Sequence, residues 1–238
     1  MDKKKIIFLL LSLISATSGF TEPKIAITET TFDFGKTVQH AKVNHTFWIK
    51  STGDDTLVIT KVVPGCGCTK APLMDSVLAP GDSTSLDIIF STKSYRGYVS
   101  KRPYFETNIS DEKAYLKIFA ELIPEPENMM PISITPYKLD VSQFSEKPRR
   151  RAKFLIENKG DRDFDIKLID GSDKYFDVSL PKSVKAGETV EGMITVHKDA
   201  IKNEFEQSLT FEVSNNEELI RYSIPVKRTY RILKRDSE

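Results

Sequence analysis

The segment Val43-Asn44-His45-Thr46-Phe47-Trp48-Ile49-Lys50 decides the fold class. Val43, Phe47 and Ile49 fall on one face of an extended chain, because successive side chains of a strand point to opposite sides. The alternation recurs further along. Leu86, Ile88 and Phe90 share a face in Leu86-Asp87-Ile88-Ile89-Phe90, as do Leu116, Ile118, Ala120 and Leu122 in the run from Leu116 to Leu122. A period of two with one apolar face predicts half-buried strands. Turn formers punctuate them at Gly53-Asp54-Asp55, Pro64-Gly65, Pro80-Gly81-Asp82 and Asn108. Beyond residue 24 no long amphipathic helix stands out, so short strands at close spacing predict an all-β chain of antiparallel sandwiches.

The strand phase then repeats. Phe32-x-Phe34 aligns with Leu139-x-Val141, Phe47-x-Ile49 with Phe154-x-Ile156, and Gly53-Asp54 with Gly160-Asp161, all at 139 − 32 = 107 residues. Gly81 aligns with Gly187 and Phe105 with Phe211 at 187 − 81 = 106, a one-residue deletion. Phase is the property that fixes which face is buried, since a one-residue slip inverts every side chain. The reading is two tandem immunoglobulin-like antiparallel β-sandwiches, residues 24–123 and 128–232, followed by a basic tail, 233–238. Pro124-Glu125-Pro126-Glu127-Asn128 reads as the linker, because its prolines are stiff and lack amide donors.

The first residues read as an address. Lys3-Lys4-Lys5 precede the apolar run Ile6 to Ile14, and Ser15-Ala16-Thr17-Ser18-Gly19 supply small residues for cleavage. This is the secretory pattern, and the apolar run is shorter than the ~20 residues of a spanning helix. Residues 1–19 are expected to be removed, and no cysteine follows the run to carry a lipid. The expectation is a periplasmic chain that is not a lipoprotein.

Composition narrows the function. The chain has 238 residues and a formal net charge of +1, which gives no strong basic field for nucleic acid. There are three histidines and two cysteines, and no serine elbow, phosphate loop or paired-carboxylate motif stands out. No catalytic residue and no cofactor is assigned. His40 and His45 read as surface or satisfied core positions, because no paired nucleophile is visible.

One local sequence is unusual: Pro64-Gly65-Cys66-Gly67-Cys68-Thr69. Together with Phe32-Asp33-Phe34-Gly35, Phe47, Thr52-Gly53-Asp54, Leu57-x-Ile59, Pro80-Gly81 and Thr107-Asn108, it resembles domain of unknown function 1573, over about residues 30–122. That family occurs in exported bacterial proteins, commonly in Bacteroidota, and is similar to the modules of major sperm protein and cilia-associated proteins. The resemblance implies a sandwich and a binding role, with no catalytic residues.

Three readings of Cys66 and Cys68 stay open. They are a structural pair or disulfide, a labile redox disulfide, or two thiolates for a soft ion such as Cu(I) with Met74 or a histidine as third ligand. A bridge across one residue closes a minimal loop and so stabilises little. Trp48, Ile89 and Phe119 are out of phase with the buried faces of their strands, and read as interdomain packing or a patch for a partner. The basic runs Arg149-Arg150-Arg151 with Lys153, and Lys227-Arg228 onward, read as solvated edges. The leading function is a non-catalytic periplasmic binding or scaffolding protein that meets an envelope protein through sandwich edges or loops. The alternative is a thiol-redox or copper-handling protein centred on Cys66 and Cys68.

Overall fold

The computed structural model describes residues 21–232; the expected leader, 1–19, and basic tail, 233–238, lie outside the described residues. Among the described residues the chain is all strand and loop apart from one 3-10 turn, Pro126–Asn128, inside the stretch read as linker.

The first half supplies β1 (Ile25–Ile27), β2 (Thr31–Val38), β3 (Lys42–Ser51), β4 (Leu57–Val63), β5 (Thr69–Lys70) and β6 (Val77–Leu78). It continues with β7 (Ser83–Ser91), β8 (Gly97–Lys101), β9 (Tyr104–Thr107), β10 (Ala114–Tyr115) and β11 (Lys117–Ile123). The second half supplies β12 (Ile132–Thr135), β13 (Leu139–Asp140), β14 (Arg151–Asn158), β15 (Phe164–Asp170) and β16 (Phe176–Ser179). It ends with β17 (Ser183–Val184), β18 (Thr189–Val196), β19 (Phe205–Ser214) and β20 (Leu219–Arg228).

The phase read from the sequence is the phase that folds. On β3 the side chains of Val43, His45, Phe47 and Ile49 are buried, and Trp48 is exposed. Pairing follows the repeat: β3 lies between β1 and β7, and β14 lies between β12 and β18. Ile59 faces Thr107 in the first half, and Ile166 faces Val213 in the second, at the expected offsets. One buried cluster gathers Phe34, Phe47, Leu57, Phe90 and Phe105; the other gathers Phe154, Phe176, Phe211, Tyr222 and Ile224.

A single sheet nevertheless runs through both halves, in the order β17-β15-β19-β20-β2-β11-β8, with β13 also on β20. Its joint is the pairing of β2 with β20, where Lys36 faces Tyr222. Gly35 makes this approach possible. Its φ is +62°, and a Cβ there would sit 2.1 Å from the Arg221 carbonyl oxygen. The Thr37 hydroxyl donates to the Ser223 carbonyl (2.9 Å), and the Ser223 hydroxyl donates to the Phe34 carbonyl (2.7 Å). Val38 is buried in the second cluster, and Ile169 packs on the first, so each half lends the other an apolar side chain.

The basic run at Lys227-Arg228 needs a correction. Arg228 is 1% exposed, not solvated. Its guanidinium donates to the carbonyls of Val141, Arg149 (2.8 Å) and Ile201, and to Gln143 Oε1 (3.0 Å). A buried cation must have every donor satisfied; here neutral oxygens do it, and burial pulls the Arg228 pKa down.

Candidate functional site

A cleft of about 820 Å³ opens where the halves meet. One wall is the outward face of β3 and β7: Thr46, Trp48, Ser85 and Asp87. The loop after β5 adds Pro72, Leu73 and Met74, held to β7 by the Met74 amide on the Ser85 carbonyl (3.0 Å). The opposite wall is the loop after β15, Gly171 to Tyr175, with Gln207 and Ser208 of β19. Trp48 is 50% exposed and Met74 is 74% exposed, so large apolar surface faces solvent inside the cleft.

His45 lies at the base of the cleft, 6% exposed. Its Nδ1 is 2.5 Å from Asp170 Oδ2 of the second half, and its Nε2 is 2.8 Å from Glu29 Oε1. The ring stacks on Phe32 at 3.6 Å and meets Phe47 edge-on at 4.8 Å. Both nitrogens therefore face acceptor carboxylates. This arrangement ties the halves together and leaves no ring nitrogen free for substrate. Nearby, Asn44 Nδ2 donates to Gln207 Oε1 (2.5 Å), the Asn44 amide donates to Ser208 Oγ (3.0 Å), and Lys42 pairs with Glu206.

Cys66 and Cys68 are disulfide-bonded, with Cα atoms 5.3 Å apart. The bond leaves neither sulfur as a thiolate for Cu(I). Cys68 is buried in the first core and Cys66 is half-buried beside it. The Thr69 hydroxyl lies 3.2 Å from Cys66 Sγ, and the Ser91 amide on the Cys68 carbonyl (2.8 Å) pins the loop to β7. Among the described residues no group of three histidine, cysteine or acidic side chains is arranged to hold a metal.

The three out-of-phase residues do not form one surface. Trp48 and Ile89 share the outward face of the β3–β7 pair, where Ile89 faces Asn44. Phe119 lies on the other sheet between Asp33 and Ser100, covered by the Lys117 ammonium at 4.4 Å from its ring. Trp48 lines the cleft and Phe119 does not. Met74, read from the sequence only as a third ligand for Cu(I), lies in the cleft instead, and the contributions of Asp170 at the end of β15 and Tyr175 in the loop after it were not singled out, because alternation does not say what a strand end or a loop will face.

Residues 25–122 match the family model described as "Protein of unknown function (DUF1573)". No curated protein matches the chain. Among solved structures, a protein of unknown function from Porphyromonas gingivalis W83 is similar at 12% identity, covering 85% of this chain and 99% of that one, with a TM-score of 0.34. The ASH / PapD-like domain of human CEP192 is similar at 11% identity, covering 50% of this chain and 99% of that one, with a TM-score of 0.36. The YadV chaperone is similar at 12% identity, covering 84% of this chain and 98% of that one, with a TM-score of 0.31.

Proposed function

We propose, from the match of residues 25–122 to the DUF1573 family model, that the protein is a non-catalytic binding or scaffolding module of the bacterial periplasm that holds an envelope protein in the cleft between its halves. The observation that carries this reading is the cleft itself, with Trp48 and Met74 exposed in it. Exposed aromatic and thioether groups ringed by polar side chains are the usual anchors of a protein interface. The polar groups at the base are already engaged: His45 by two carboxylates, Asp87 by the Thr46 hydroxyl (2.7 Å), and Ser208 by Asn44. Such a site offers shape and apolar area and lacks an activated nucleophile. The leader Lys3 to Gly19 supports export, and the absence of a cysteine after its apolar run supports a chain free of lipid.

A photo-crosslinking amino acid replacing Trp48 tests the proposal in intact envelopes. The expected result is one discrete protein adduct, lost when Met74 is changed to Asp. Adducts from position 119 but not from position 48 would move the interface off the cleft. Recovery of the protein in the cytosolic fraction would overturn the location.

A further inference from the structure

The internal repeat shows how one strand edge of this sandwich is used, and the first half leaves the equivalent edge open. In the second half, Glu206, Gln207 and Ser208 of β19 lie against the start of β3, through Lys42 with Glu206 and Asn44 with Gln207 and Ser208. At the repeat offset, 206 − 106 = 100, the first-half equivalents are Ser100, Lys101 and Arg102. Ser100 and Lys101 belong to β8, the terminal strand of the long sheet. One side of β8 pairs with β11 over Gly97 to Lys101. Among the described residues its other side has no strand neighbour.

This edge differs from its covered counterpart in charge. Between Asp87 and Glu106 there is no acidic residue, while Lys93, Arg96, Lys101 and Arg102 all lie there; the one carboxylate that β11 sets opposite β8 is Glu121, which faces Tyr98. Lys101 and Arg102 are held in place over aromatic rings, Lys101 Nζ 4.4 Å from the Tyr95 centroid and Arg102 Cζ 3.9 Å from that of Tyr115. Tyr98 is 85% exposed on the same strand.

A second copy of the chain does not fit. Repeating the internal contact between molecules would bring up the equivalents of Lys42 and Asn44, which are Arg149 and Arg151 (42 + 107 = 149; 44 + 107 = 151). Lys101 and Arg102 would then face Arg149, Arg150 and Arg151, where the internal contact sets Lys42 against Glu206. Like charges placed opposite one another across strands are repulsive.

We propose that the β8 edge, Gly97 to Lys101, flanked by Arg96 and Arg102, docks an extended, carboxylate-bearing segment of another protein by strand addition. The unpaired backbone groups supply a hydrogen-bond ladder, and Arg96, Lys101 and Arg102 select for acidic side chains. The site is separate from the cleft and rests only on the reading of the protein as a binding module.

The test measures fluorescence anisotropy of labelled ten-residue peptides with the whole protein. One peptide alternates Val and Glu, a second alternates Val and Lys, and a third is the acidic peptide N-methylated at alternate backbone amides. The acidic peptide is expected to bind, with at least tenfold loss for the basic peptide, for the N-methylated peptide and for Lys101→Glu. Arg96→Glu, in the loop before β8, gives the same direction of change if Lys101→Glu disturbs the fold. Trp48→Ala leaves this binding unchanged, so failure at the cleft and failure at the edge are read separately. Equal binding of the N-methylated peptide would reduce the edge to a charged surface and overturn strand addition. Binding to phosphatidylglycerol vesicles with none to the acidic peptide would overturn the protein partner. No binding of any probe, or self-association in sedimentation that Lys101→Glu abolishes, would overturn the proposal as well.

Discussion

The two halves share a strand phase and end the same strand differently. In the first half β4 stops at Val63 and runs into the disulfide-closed turn of Pro64 to Cys68. In the second half β15 stops at Asp170, the residue 63 + 107 = 170, and the loop that follows walls the cleft while Asp170 reaches His45. The neighbouring strand differs too. β19 is continuous from Phe205 to Ser214, whereas the equivalent stretch of the first half breaks into β8 and β9 at Arg102-Pro103, since proline has no amide to donate. The core positions tolerate either solution. The strand ends are where one half is closed on itself and the other is tied to its neighbour.

The sharpest way to break this comparison is a charge in each core. Phe47→Asp and Phe154→Asp, equivalent and both buried, are each expected to destabilise by on the order of 4–5 kcal/mol, combining lost apolar burial with an unpaired charge. Urea melts check the size of the effect. The shared sheet makes amides of β20 exchange faster in the Phe47→Asp protein as well. Trp48→Asp, on the exposed face, is expected to cost under about 0.5 kcal/mol.

Arg228 comes next. Its equivalent by strand register is Ala120, because Arg228 faces Phe205 as Ala120 faces Val99 at the matching position (205 − 106 = 99), so this buried cation has no counterpart in the first half. Arg228→Met leaves the carbonyls of Val141, Arg149 and Ile201 without their donor, and a loss of about 3 kcal/mol is expected in thermal melts. Ala120→Gly, the small change at the matching site, is expected to cost about 1 kcal/mol.

Gly35→Ala probes the joint. A positive φ and a Cβ 2.1 Å from the Arg221 carbonyl oxygen lead to an expected loss of about 1–3 kcal/mol, with faster exchange at Lys36 and Thr37. Gly81→Ala carries a similar backbone (φ +90°) but opens into free space, so it should cost only ~1 kcal/mol and leave the joint protected. Equal exchange at Lys36 in both variants would show that the halves are held by something other than β2 on β20.

The disulfide separates the halves at the matching turn. Replacing Cys66 and Cys68 together with serine is expected to cost ~0–2 kcal/mol, because the closed loop is minimal. The second half, folded without any bridge at the matching turn, is the built-in control.

Much of the fold was legible because alternation states which side chains turn inward. It placed Phe47, Phe105, Phe154 and Phe211 correctly. It also held an unread signal at Arg228, which is in phase with the buried Ile224 and Val226, while the basic run around it suggested solvent. Phase names a face and not a sheet, which is why Trp48 and Phe119 were grouped and lie apart. The cleft was the least legible part. His45 is in phase with Val43 and Phe47, but its partner Asp170 is 125 residues away, and only the packing of the halves brings it near.

The parallel seating of β2 between β11 and β20 also sets an order of assembly. The hydroxyl contacts that close it, Thr37 with Ser223 and Ser223 with Phe34, join residues 186 and 189 apart. A chain emerging from its N-terminus can form the first core while one flank of β2 still waits for the last strand to be made. Closing so distant a pair carries a loop entropy that near-neighbour hairpins avoid, and non-local pairing of this kind slows folding. Until residues 219–228 arrive, the flank of β2 around Gly35 is an unguarded edge, and it is the place where a chaperone would have most to protect.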